Sequence, residues 1–71
     1  MTLDEYRRAN KLTYKQLAEQ LGASHPTIAR RYCLPIGHKD RMIPNMEYME
    51  RIMTITSGAV QPNDFYIRRI A

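Results

Sequence analysis

A single cysteine, Cys33, leaves the 71-residue chain without an internal disulfide framework, so no covalent cross-link within the chain holds its fold. Cys33, His25 and His38 do not fall at zinc-ligand spacing, and no metal is expected. Three glycines are too few and too scattered for a phosphate-cradling loop, and no paired-carboxylate motif is present. Cys33 with His25 or His38 is the one conceivable nucleophile–base set, and nothing in their spacing fixes a geometry. The plainer reading of Cys33 is a small core residue. No catalytic residues, no cofactor and no small-molecule ligand are expected. The longest uncharged apolar run is far shorter than the roughly 20 residues of a membrane helix. The first residues lack the apolar core of a signal peptide. The expectation is a reduced, cytoplasmic protein with no membrane partner and no enzyme activity.

What the chain does have is an apolar fraction of 44%, enough for a globular fold. Its length allows one domain, residues 1–71, with one small core. No internal repeat or low-complexity segment interrupts it. The net charge of +4 is unevenly spread. Met1 to Ile43 holds eight Lys/Arg against four Asp/Glu, whereas Pro44 to Ala71 holds three of each. A phosphate-facing surface in the first part would produce this asymmetry, as would mixed solvated helix faces.

The stretch from Leu12 to Tyr32, LTYKQLAEQLGASHPTIARRY, carries the clearest local signals. Thr13 and Gln16 have the spacing of a capping box, and Leu12 and Leu17 that of a hydrophobic staple. Leu17, Ala18 and Leu21 share one helical face. Gly22 can end the helix in the left-handed region. Ser24 can then cap a second helix with Pro26 in its first turn, where a missing N–H costs nothing. Ile28 and Tyr32 form the inward stripe of that helix. Two short helices joined by so tight a turn cross steeply, as a helix-turn-helix.

The run LAEQLGASHPTIARR resembles the helix-turn-helix of Cro- and lambda-repressor-like transcription regulators at Leu17, Ala18, Leu21, Gly22, Ser24, Thr27 and Ile28. The resemblance covers roughly the first two-thirds of the chain. It implies a mainly α, lambda-repressor-like domain of about four helices, with a recognition helix from about Ser24 to Tyr32. By that resemblance Ser24, His25, Pro26, Ala29 and Arg30 face DNA bases. Arg30 is the best reader among them, because its planar fork matches guanine O6 and N7. Tyr14, Lys15 and Thr27 lie near helix starts, where such proteins hold phosphates. The pattern departs at Arg31, where the family usually has an apolar residue. Either the Arg31 stem covers the core or Tyr32 takes that position.

Elsewhere, Thr2 and Glu5 repeat the capping-box spacing and predict a first helix from about Leu3 to Asn10, with Leu3 and Tyr6 turned inward. Cys33 to Pro44 has no helical period, and Gly37 to Asp40 can turn a short β-hairpin. Lys39 and Arg41 there can reach phosphates, or simply be solvated. Pro44 and Asn45 open a further helix, with Pro44 in its first turn. Met46, Met49, Ile52 and Met53 form its stripe, Glu47 and Arg51 pair on its outer face, and Gly58 stops it. Gln61 to Asp64 reads as a turn, and Val60 before it and Phe65 after it return to cap the core. The last residues form a short strand or fray.

These features point to a small transcription regulator binding double-stranded DNA in a sequence-specific way, repressor-like and of phage or prophage type. One recognition helix reads few base pairs, so a homodimer on DNA is expected, weakly associated when free, through Phe65 to Ile70. The alternative is a protein-interaction module, such as an antitoxin or adaptor reusing the fold.

Overall fold

In a computed structural model, described here for residues 1–66, the chain forms four helices and no strand among those residues. They are α1 (Leu3–Ala9), α2 (Tyr14–Leu21), α3 (Pro26–Cys33) and α4 (Met46–Ile55), followed by a 3-10 turn at Pro62–Phe65. The expected C-terminal strand falls on residues 67–71, outside the described part.

Each of the first two helices starts where its side chains can satisfy free amides. The Thr2 hydroxyl accepts from the Glu5 N–H at 3.1 Å, and the Glu5 carboxylate accepts from the Thr2 N–H at 2.9 Å. Thr13 and Gln16 repeat the exchange at 3.1 and 2.9 Å. Asn45 caps α4 by accepting from the Tyr48 N–H at 2.9 Å. Pro44 therefore precedes the cap and is buried, rather than sitting in the first turn as expected.

The helices α1, α2 and α4 end alike. The amide two or three residues past the helical stretch returns to a carbonyl five back, while a left-handed residue makes the bend. That residue is Lys11 (φ 54), Gly22 (φ 70) and Ser57 (φ 52), respectively. Gly58 also has positive φ, but it follows the bend; α4 has already ended at Ile55.

The core is formed by Leu3, Leu17, Ala18, Leu21, Ala29, Tyr32, Met49, Ile52, Val60 and Phe65. Helix α2 is its centre, packing most extensively on α3 and also against α4, while α1 rests on α3. Val60 and Phe65 do return to close the core. Met49 and Ile52 face inward, but Met46 does not belong to that stripe: it is 79% exposed at the start of α4. Tyr6 is half-buried, with its hydroxyl donating to the Ile55 carbonyl at 3.4 Å.

No hairpin forms between Cys33 and Pro44. Two consecutive tight turns replace it: the His38 N–H donates to the Pro35 carbonyl at 3.0 Å, and the Arg41 N–H to the His38 carbonyl at 3.1 Å. Pro35 and the following turns leave no paired extended segments. Among the described residues no helix is long and apolar enough to cross a membrane.

Candidate functional site

Helix α3 is amphipathic in an instructive way. Its sequence, PTIARRYC, contains no acidic residue. Ala29 is fully buried and Tyr32 nearly so, while Ile28 and Cys33 are half-buried on either side of them. At a helical step of 100° per residue, the opposite face belongs to Thr27, Arg30 and Arg31, spaced i, i+3 and i+4. All three are exposed. By contrast, the exposed side of α4 carries Glu47 and Glu50.

This orientation corrects the sequence reading at two positions. Ala29 has no accessible surface, so it cannot touch a base. Ser24 does not cap α3. The cap position is His25, in extended conformation (φ −146, ψ 139) and without a side-chain capping bond, and Pro26 is the first helical residue. The helix starts one residue later than a Ser24 cap requires, and Ala29, three residues before Tyr32, shares its inward face and leaves Arg31 outward. Of the two ways to accommodate Arg31, Tyr32 takes the buried position: it is 5% exposed and packs on Tyr48 with ring centroids 5.9 Å apart. A signal for this was present in the sequence. Proline is favoured at the first helical position, which makes the residue before it the cap.

Ser24, His25, Pro26 and Arg30 are exposed, as is Lys15 in the first turn of α2. Lys39 is exposed in the link after α3. Tyr14 is half-buried beneath the Arg7 guanidinium, 4.5 Å from its ring centroid. Arg7 in turn is held by Asp4 and by the Leu12 carbonyl, each at 3.0 Å. Arg41 departs most from its expected role. Its Nε donates to the Leu34 carbonyl at 3.0 Å and its Nη2 to the Phe65 carbonyl at 2.7 Å, so two of its donors are committed inside the protein. Burial pulls its pKa below the ordinary arginine value.

The expected self-association segment is also altered at its start. Phe65 is 3% exposed and belongs to the core, leaving Tyr66 as the one exposed aromatic of that stretch among the described residues. Its remainder, residues 67–70, lies outside them.

A cleft of about 270 Å³ lies between the start of α1, the end of α3 and the 3-10 turn. The charged groups around it already have partners: Asp4 binds Arg7 and Arg8, and Asp64 binds the N-terminal amine at 3.3 Å. Cys33 borders the same cleft, where burial pushes its thiol up to about 12 and keeps it protonated. A neutral thiol is a poor nucleophile. Among the described residues no group of three or more His, Cys, Asp or Glu could hold a metal ion.

No protein-family model, no curated protein and no solved structure matches this chain.

Proposed function

We propose that the protein is a small, sequence-specific binder of double-stranded DNA, a lambda-repressor-like transcription regulator that inserts α3 into the major groove. The observation that carries this reading is the outward face of α3, where Thr27, Arg30 and Arg31 project together from a helix without an acidic residue. A helix entering the major groove needs donors on its exposed face and no anion facing the phosphates. Two arginines three and four residues beyond a threonine meet that need. His25 and Pro26, at the exposed start of α3, extend the face toward its N-terminus. Lys15 on α2 and Lys39 in the link are suited to phosphates on either side.

The small reading surface argues for two copies on DNA, one per half-site about one helical turn apart. Action in the cytoplasm as a repressor belongs to this proposal. Selection from a random pool of DNA duplexes tests it. Enrichment of a short motif, alone or as a two-fold repeat, supports it, and absence of any enrichment contradicts it.

One observation favours a second reading, a protein-interaction module. Met42, Ile43 and Met46 are 41%, 37% and 79% exposed and follow one another around the buried Pro44. Such a run of apolar side chains suits a protein surface. Absence of DNA affinity even at low salt would favour it.

A further inference from the structure

The three helices that end alike close on their own backbone. Leu12 N–H returns to the Arg7 carbonyl at 2.9 Å, Ala23 N–H to Ala18 at 2.9 Å, and Gly58 N–H to Met53 at 2.8 Å. Helix α3 ends differently. Leu34 is extended (φ −66, ψ 151), as expected of a residue before proline, and no return bond closes the helix. The carbonyls at its end are met from the link instead. The Met42 N–H donates to the Arg31 carbonyl at 3.2 Å, and Arg41 Nε to the Leu34 carbonyl at 3.0 Å. The second arm of Arg41 grips the Phe65 carbonyl at 2.7 Å, and its guanidinium carbon lies 5.8 Å from the centroid of the Phe65 ring. Phe65 is itself fixed in the core.

We propose that Arg41 is a positioning residue that fastens the end of α3 to the core through Phe65 and so sets how Thr27, Arg30 and Arg31 are presented. This rests on the reading of α3 as the DNA-recognition helix. The planar guanidinium suits the task because its donors diverge to two separate chain segments, which a lysine ammonium on its flexible stem does not reproduce. A cation at this end also complements the negative pole of the α3 dipole. Lys39, with its exposed head, is the phosphate contact of the link.

The test compares the full chain with R41A, R41K and K39A, at a temperature where each is folded by circular dichroism. Affinities are measured for a selected duplex, its single-base variants and an unrelated duplex at several salt concentrations. R41A is expected to lose about tenfold in discrimination, roughly the worth of one base pair, with an unchanged salt slope. R41K retains the charge but should not restore discrimination. K39A should weaken all duplexes alike and flatten the slope by about one unit. If R41A behaves as expected of K39A and R41K restores affinity, Arg41 is a phosphate clamp and the proposal falls. Amide hydrogen exchange gives a readout that needs no DNA. Faster exchange in R41A confined to residues 30–33, with α2 unchanged, supports the fastening. Unchanged exchange, or acceleration spread equally over α2 and α3, overturns it. A wild-type chain that selects no sequence defeats the DNA reading alone, and exchange then decides the role of Arg41.

Discussion

Arg51 on α4 donates from Nη1 to the carbonyl of Leu21, the last residue of α2, at 3.0 Å across thirty positions of sequence. The same guanidinium holds Glu47 at 2.7 Å and lies 5.3 Å from the centroid of the Tyr48 ring. What the sequence presents as an i,i+4 surface pair is therefore also the cap of another helix. A cation at a helix C-terminus is favoured by the dipole as well as by the hydrogen bond.

Gly22 sits directly under that contact. Its φ of +70 is costly for any residue with a side chain, and an added Cβ would lie 3.0 Å from Arg51 Nη1. Gly22→Ala should lower stability by about 1–2 kcal/mol, most of it from the backbone. Urea denaturation should show the midpoint falling at constant slope. In an Arg51→Ala background the backbone part of the loss should persist, because the contact is then gone but the φ is not.

Ser57 makes the equivalent bend after α4 with a φ of 52 and no glycine. Ser57→Gly should raise stability by about 0.5–1 kcal/mol, since relief of the left-handed strain exceeds the extra entropy of the unfolded chain. A thermal melt that fell instead would assign Ser57 a favourable contact beyond its backbone role.

Buried ionisable groups at the end of α3 give the stability a pH dependence. Burial pushes the Cys33 thiol from 9.0 up to about 12. Between those values the unfolded chain has lost the thiol proton while the folded chain retains it. Stability is thus complete below about pH 9 and declines as pH rises toward 12. Tyr32, raised from 10.0 by burial and then by the nearby Tyr48, adds to the decline at higher pH. Cys33→Ala should flatten the stability curve between pH 9 and 10, where the tyrosine contribution has barely begun. A wild-type curve already flat there would contradict the burial of the thiol.

Helix starts were readable because they are local: Thr2 with Glu5 and Thr13 with Gln16 satisfy amides within one turn. The return of Val60 and Phe65 to the core could be read because a chain this short has few other apolar residues to close it. The register of α3 was harder. Ser24 has the better capping chemistry, but Pro26 fits best at the first helical position, and the latter preference prevails. Arg41 could not be placed from its neighbours in sequence, because its second partner, Phe65, lies 24 residues away. Met46 has the right period for the core but lies at the helix end that extends past it.

That register can be examined without DNA. Ala29 is fully buried, so Ala29→Asp should place an unpaired carboxylate in the core and cost roughly 3 kcal/mol or more. Arg31→Ala, on the exposed face, should change stability by no more than about 0.5 kcal/mol. Chemical denaturation of both variants is sufficient. A well-folded Ala29→Asp together with an unfolded Arg31→Ala would reverse the assigned faces.

The central claim, that the outward face of α3 reads bases, is tested most directly by the base preference of Arg30→Ala. Affinity is measured for a selected site, for each of its single-base variants and for unrelated DNA, at several salt concentrations. A bidentate arginine contact to guanine discriminates by about 1–3 kcal/mol, so the variant should lose preference at one position of each half-site and retain it elsewhere. A loss equal for every duplex, with a flatter salt dependence, would make Arg30 a backbone contact and contradict the placement of this face in the groove.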